Sequence, residues 1–333
     1  MKYPTLLYFT FLFSFFSCTH GVLQAEDQDP FLIYDEFWTF IDENYIFFEL
    51  KNIDWDKERE NALSKITPLT SADELFEICN QSLLALKDRH CRMSSPKRNH
   101  TPFNFTEGYE IHFSSEIIEK NYLSSEFQQS GYLKYGVLKD NIGYIHFQQM
   151  SRYGKFDEII RDMKASGVQG LVIDVRNNAG GDSNPIPELL SDFVTEETPL
   201  GSYVEKSGPA HNDVTKPLPI STKPNPSFHF DLPVSMITNR KGYSATSYFT
   251  AMAKQVPSIK VVGQITGGGA GGNYGYQLSN GWVVAVSVSD FIEEGGGSIE
   301  LGVEPDVFVE NTLDDIQSGR DRMLEKAIEM LLD

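Results

Sequence analysis

The chain has 333 residues, 40% of them apolar, which is long enough to bury more than one core and sets aside a disordered or fibrous protein. Its 28 Lys and Arg stand against 47 Asp and Glu, a formal charge of -19 with no basic cluster, which argues against a nucleic-acid partner. No CxxC or HExxH spacing occurs among its 3 cysteines and 7 histidines, so neither a metal nor another cofactor is expected.

The N-terminus reads as a targeting segment. Lys2 is followed by an apolar run from Leu6 to Phe16 that is short for a membrane span, and then by Ser17-Cys18. This resembles a bacterial lipoprotein signal peptide over 1-18, with Phe15 where a leucine is usual. Cys18 then becomes the lipidated first residue of the mature protein, and 19-30 is a polar tether. The alternative is an ordinary signal peptide cleaved before Gln24. Thr19 lacks the aspartate associated with inner-membrane retention, so the expected location is the cell envelope, lipid-anchored at the outer membrane and facing the periplasm or the cell surface.

Residues 31-100 read as a small helical domain. Phe31, Tyr34, Phe37, Trp38, Ile41 and Tyr45 recur at helical spacing, Asp54-Trp55-Asp56 opens a second helix, and Ser71 with Glu74 forms a capping box for a third over Leu75 to Leu86. His90 follows that helix between charged neighbours, where a core role is not expected. Cys79 and Cys91 both lie in apolar surroundings, and the sequence leaves open whether they pair.

From 101 to 333 strand and helix patterns alternate, which predicts an α/β (α+β) fold. Tyr109–Phe113, Gly131–Leu138, Asn141–Phe147, Leu171–Val175, Ser235–Thr238, Lys260–Gly263 and Trp282–Val288 read as strands. Phe156–Ser166, Ile186–Val194 and Leu313–Leu332 read as helices. Two glycine-rich loops follow strands. Arg176 to Gly181 is either a tight turn or a backbone surface for a ligand, and Gly267 to Gly272 lacks the spacing of a phosphate cradle.

Ser244 sits where a strand and the turn Asn239 to Gly242 give way to a helix, marked by Ala245, Tyr248, Phe249, Met252 and Val256. A serine at that corner has two readings. Its hydroxyl can cap the first helical turn, or it can point outward as a nucleophile beside the N–H groups of the helix start.

Read together, Leu86 to His90, Gly143-Tyr144-Ile145, Leu171 to Gly181, Gly242 to Phe249, Val261 to Gly269 and Gly302 to Asp306 resemble, in order, the S41 peptidases. That family includes C-terminal processing (tail-specific) peptidases and the tricorn core protease. The resemblance implies a crotonase-like (Clp protease-like) core preceded by the helical domain, and the stretch between His90 and Asn141 is too short to hold a PDZ domain. It implies Ser244 as nucleophile, with the N–H of Ala245 and that of Gly180 or Gly181 as oxyanion hole. The Ser-Lys branch carries a lysine in the loop where this chain has Gly269, while Lys254 and Lys260 precede it. The tricorn-like branch points instead to His90 as base and Glu300 as the carboxylate that orients it, although Arg89 replaces a serine and Glu300 lies one residue short of the expected spacing. Glu304 or Ser298 are the alternatives there, and Ser247 is the alternative nucleophile. The implied activity is that of a serine endopeptidase acting on peptides or unfolded protein chains. The alternative is a non-catalytic peptide- or ligand-binding lipoprotein on the same fold.

Overall fold

A computed structural model of the chain describes residues 29–151 and 153–332. The signal-peptide reading of 1-18, the lipidated Cys18 and nearly all of the tether therefore lie outside the described residues.

Each of the first three helices starts where the sequence supplies a side-chain acceptor. Asp29 accepts from the N–H of Phe31 ahead of Pro30–Asn44, and Asp54 from that of Lys57 in Trp55–Leu63. Ser71 and Glu74 close a full capping box on Ala72–Ala85. The apolar stripe read from the sequence turns inward, since Tyr34, Phe37, Ile41 and Tyr45 are all fully buried. That stripe does not form a separate core. Ile33, Phe37, Phe48 and Trp55 belong to the same contiguous cluster as Ile145, Ile173, Met236 and Val261 of the main sheet.

The main sheet has seven strands in the order Val307–Phe308, Ile259–Gly263, Val234–Thr238, Leu171–Asp174, Gly143–Phe147, Leu133–Val137 and Gln128–Ser130. The first five run parallel and the last two join antiparallel. Parallel strands need crossovers, and Phe156–Ala165 and Ala245–Ala253 supply two of them. Strand alternation sends Ile173 and Met236 to one face and Val172 and Ile237 to the other, where Leu324, Ala327 and Leu331 of the C-terminal helix Arg322–Leu332 cover them.

Two smaller antiparallel sheets flank this core. One joins Ser289–Ile292, Thr198–Glu205 and Leu218–Thr222; the other joins Arg92–Ser94, Val283–Ser287 and Asn273–Gln277. The strand that follows His90 is thereby tied to the C-terminal half of the chain.

Arg176, fully buried, fastens the C-terminal helix to the end of strand Leu171–Asp174. Its guanidinium binds Asp174 at 2.6 Å and Asp321 at 2.8 Å, and Tyr144 donates to Asp174 at 2.7 Å. Burial pushes Asp174 up, but the Arg176 charge outweighs it and holds the carboxyl below its usual range. Arg176 is therefore an internal tie and not part of a ligand surface.

Two expectations fail for local reasons. Tyr109–Phe113 is not a strand, because side chains take its carbonyls: Gln264 donates to Glu110 O and Asn311 to His112 O. The expected helix Leu313–Leu332 breaks into Leu313–Gln317 and Arg322–Leu332, with Gly319 at φ 77° between them.

Candidate active site

The backbone carries Ser244 into an exceptional conformation. Strand Val234–Thr238 is buried at every position, and the turn closes with the Gly242 N–H on Asn239 O at 2.8 Å. Ser244 then adopts φ 56° and ψ -123°, ahead of helix Ala245–Ala253. For a residue with a Cβ this costs about 1–3 kcal/mol, and it persists because neighbours over-determine it. The Ser244 N–H donates to Gly268 O at 2.8 Å, while its carbonyl accepts from Ser247 N–H at 2.7 Å. The side chain makes no capping hydrogen bond. Instead Ser244 Oγ lies 3.2 Å from His90 Nε2.

His90 is held by its own loop. Lys87 leaves helix Ala72–Ala85 at φ 49°, and Asp88 Oδ1 then accepts the His90 backbone N–H at 2.8 Å. Asp88 Oδ2 accepts from Ser287 Oγ at 2.8 Å, which locks this loop to strand Val283–Ser287. Burial depresses the His90 pKa below its ordinary value. Asp88 opposes that shift, and the nearby cations Lys51, Arg92 and Arg89 reinforce it. The imidazole is consequently neutral at neutral pH. Its Nδ1 is buried with no hydrogen-bond partner among the described residues.

Glu300 does not hydrogen-bond to His90. Its Oε1 takes Lys51 Nζ at 2.6 Å and its Oε2 takes the Ala270 N–H at 2.8 Å. Lys51 also reaches Tyr45 OH at 3.0 Å and the carbonyl of Lys87 at 3.1 Å, and lies 3.8 Å from Asp88. Burial and then the Asp88 charge push Glu300 up, against the pull of Lys51. Two carboxylates and one ammonium thus share a buried site behind the histidine. Asp88 is the carboxylate whose charge acts on His90, whereas Glu300 anchors the glycine loop.

That loop explains its glycines. Gly269 lies at φ 83° directly under the Tyr243 ring, where any Cβ would collide. The second glycine pair packs on Ser244, and a Cβ on Gly180 would sit 2.5 Å from Tyr243 O and 2.9 Å from Ser244 Cβ. The Gly180 N–H is spent on Asn178 Oδ1 at 2.9 Å. Gly181 instead bridges Met150 in parallel fashion, so its neighbours make those bonds and its own N–H stays free of the described residues. Gly181 and Ala245 face the same cleft as Ser244 and His90, and Gly180 does not. This cleft encloses about 750 Å³ and is walled by Tyr203, Leu218, Ile220, Tyr248 and Met252.

The remaining candidates have other places. Ser247 is buried, with its hydroxyl hydrogen-bonded to Thr266 Oγ1 and to Gly268 O. Lys254 binds Glu304 O from the far end of the helix, and Lys260 is exposed on its strand. Ser298 bonds Asp290 and the Glu300 N–H, and Glu304 is exposed. Cys79 and Cys91 are both free and buried. Sequence reasoning assigned nothing to Lys51 or Asp88. Asp88 stood in a charged run beside His90, which is a weak signal, and Lys51 gave none.

Comparison with known proteins bears on this arrangement. The model of peptidase family S41 matches residues 141–309, and that of the tricorn protease C1 domain matches 29–83. The carboxy-terminal processing protease CtpB of Bacillus subtilis is 26% identical over 172 residues, 51% of this chain and 34% of its own length. The tricorn protease of Thermoplasma acidophilum is 28% identical over 198 residues, 59% of this chain and 17% of its own. The chain thus spans about a third or less of these curated relatives. A crystal structure of a candidate peptidase from Parabacteroides merdae superposes with a TM-score of 0.85 at 33% identity, covering 92% of this chain and 98% of that one. The photosystem II D1 C-terminal processing protease shares the fold at a TM-score of 0.55 and 18% identity, over 85% and 93% of the two chains.

Proposed function

This chain belongs to peptidase family S41, and from that premise we propose that it is a serine peptidase hydrolysing internal bonds of peptides or unfolded chains. The observation that carries the proposal is the 3.2 Å approach of His90 Nε2 to Ser244 Oγ at the floor of an open cleft. Serine is a weak nucleophile until a base takes its proton, and a neutral imidazole within hydrogen-bond reach does so near neutral pH.

In this reading Ser244 Oγ attacks the scissile carbonyl as His90 accepts its proton. The carbonyl oxygen, now an oxyanion, receives the N–H groups of Ala245 and Gly181. The imidazolium then gives the proton to the leaving amine as the C–N bond breaks, and a water deprotonated by the freed imidazole hydrolyses the Ser244 ester, with the proton returning to Oγ. Asp88 stabilises the charged imidazole through space, and Lys51 with Glu300 keeps the His90 loop and the glycine loop in register. Glu300 is accordingly a positioning residue acting at one remove. The apolar wall of Leu218, Ile220 and Met252 supports an apolar substrate side chain beside the cleaved bond.

The proposal extends to location. The Leu6 to Phe16 run before Ser17-Cys18 supports a protein lipidated at Cys18 and held at the outer membrane, with substrates in the periplasm or at the cell surface. The activity is tested by incubating purified protein with a denatured, fluorescently quenched substrate. Cleavage by the natural chain and none by Ser244→Ala is expected. Equal cleavage by both would refute it.

A further inference from the structure

Strand Asn273–Gln277 leads out of the cleft and has an open edge. Gly271, Gly272 and Asn273 line the cleft with Ser244 and His90, and every residue of the strand is exposed. Among the described residues it pairs on one side only, antiparallel with Val283–Ser287. The Val288 N–H donates to Gly272 O at 2.9 Å and the Leu278 N–H to Trp282 O at 2.8 Å, and in that register both pairs stand directly opposite. In an antiparallel ladder such pairs alternate with pairs whose backbone groups point away. Tyr274 and Tyr276 therefore turn their N–H and C=O groups toward Val283–Ser287, while Asn273, Gly275 and Gln277 turn theirs outward. Those outward groups make no hydrogen bond among the described residues.

The two faces of the strand differ in the same rhythm. The Phe40 ring lies 5.8 Å from that of Tyr274 and 5.2 Å from that of Tyr276, whose hydroxyl donates to Glu36, so this face is fixed to the first helix. On the other face Asn273 and Gly275, with Ala285, His100 and Pro102, line a hollow of about 420 Å³ that meets the cleft at Asn273. Gly275 is an independent sign of a partner. Its φ is not positive, and a Cβ there would meet only Val284 O at 3.7 Å and Ala285 Cβ at 3.8 Å, which are ordinary contacts. The fold thus has no use for a glycine that weakens the strand, and what Gly275 supplies is a bare backbone for another chain to approach. The strand also carries no Lys or Pro of the kind that blunts an exposed edge.

We propose that the edge of Asn273–Gln277 is the extended docking surface for the substrate polypeptide, which adds to it as a further strand on one side of the scissile bond. The main chain of the substrate pairs with Asn273, Gly275 and Gln277, and the edge delivers it to Ser244 through Asn273. Recognition through backbone groups asks only for an unfolded segment and leaves side-chain selection to the cleft. This inference rests on the peptidase reading, since continuity with the cleft is what makes the occupant a substrate.

The test is fluorescence anisotropy with the full chain carrying Ser244→Ala, so that the probe stays intact. The probe is a fluorescein-labelled ten-residue peptide with one central leucine, to set its register in the cleft, among serine, threonine and glutamine. Two further versions carry N-methyl groups on the backbone at alternate positions, one on the odd and one on the even residues. One of them should bind at least tenfold more weakly than the parent and the other about as well, because only alternate residues of an added strand face the edge. Gly275→Pro deletes an outward donor and spares the ladder to Val283–Ser287, so it should weaken the parent peptide about two- to tenfold with an unchanged circular dichroism spectrum. No saturable binding, equal binding of the two methylated peptides, or unchanged affinity in a folded Gly275→Pro would overturn the proposal. A natural chain that sediments as a dimer and becomes monomeric in Gly275→Pro would give the edge to a second copy and also overturn it. The natural chain incubated with the parent peptide tests the peptidase reading separately: pairing without cleavage refutes that reading alone, and cleavage without alternation refutes the docking surface alone.

Discussion

Lys51 Nζ and Glu300 Oε1 lie 2.6 Å apart although 249 residues separate them in the chain. The pair joins the turn between the first two helices to the glycine loop that carries Gly268, the residue whose carbonyl holds the Ser244 N–H. Both side chains are almost fully buried, 4% and 3% exposed, so neither charge tolerates loss of its partner.

Lys51→Met is therefore expected to cost about 3–5 kcal/mol, because it leaves two buried carboxylates without their cation. Lys51→Met combined with Glu300→Leu should recover a large part of that loss, since the orphaned charge is removed too. Urea denaturation of the two single variants and the double variant measures the coupling. Additive losses would show that the pair does not act as a unit.

A second buried network gives a prediction about acid. Arg176→Met strands Asp174 and Asp321 and is expected to cost about 3–5 kcal/mol. In the natural chain the folded Asp174 titrates below its unfolded value of about 3.9, so its contribution is fully present above that value and is lost as pH falls through the lower folded value. Stability measured by denaturant midpoints between pH 5 and pH 2 should fall across that window. A natural chain whose midpoint does not change there would contradict the assignment.

In the proposed mechanism the protonation of His90 sets the rate profile. Burial lowers its pKa, so kcat/KM should rise with pH through a midpoint below the ordinary histidine value of about 6.5. His90→Ala should remove about 10²- to 10⁴-fold of the rate. Asp88→Asn removes the charge that opposes the depression, so the midpoint should move lower still, whereas Lys254→Ala should leave it in place. A midpoint above about 6.5, or one that follows Lys254, would move the base elsewhere.

Gly180 tests the corner itself. A methyl there meets Tyr243 O, Ser244 Cβ and Ala245 N at 2.5, 2.9 and 3.0 Å, so Gly180→Ala should displace Ser244 and the Ala245 N–H, the proposed nucleophile and oxyanion donor. Activity on a peptide substrate should fall by about 10²- to 10³-fold, the usual cost of losing an oxyanion donor, while circular dichroism stays unchanged. Undiminished activity would show that the loop yields without moving Ser244.

Much of this was legible in the sequence where local chemistry decides structure. Asp54, Ser71 with Glu74, and the apolar stripe from Phe31 to Tyr45 announce their helices because capping and periodicity are local. Strands Leu171–Asp174 and Val234–Thr238 are apolar runs buried on both faces, which also reads directly. Thr198–Glu205 and Leu218–Thr222 pair with each other but carry no clean alternation of buried and exposed positions, so neither reads as a strand. The site divides in the same way. Ser244 and His90 stand at element ends, which order along the chain reveals, but the link from Lys51 through Glu300 to Ala270 is made only by folding. Glu300 was read as a direct partner of His90, and what separates it from that role is the ammonium of Lys51, a residue with no local signal.

The most direct measurement is covalent labelling with a fluorophosphonate, which reacts with a serine only when a base activates it, followed by mass-spectrometric location of the adduct. The natural chain should carry one adduct on Ser244, and Ser244→Ala and His90→Ala should carry none while remaining folded. An adduct on another residue, or labelling that persists in Ser244→Ala, would contradict the assignment of Ser244 as the nucleophile.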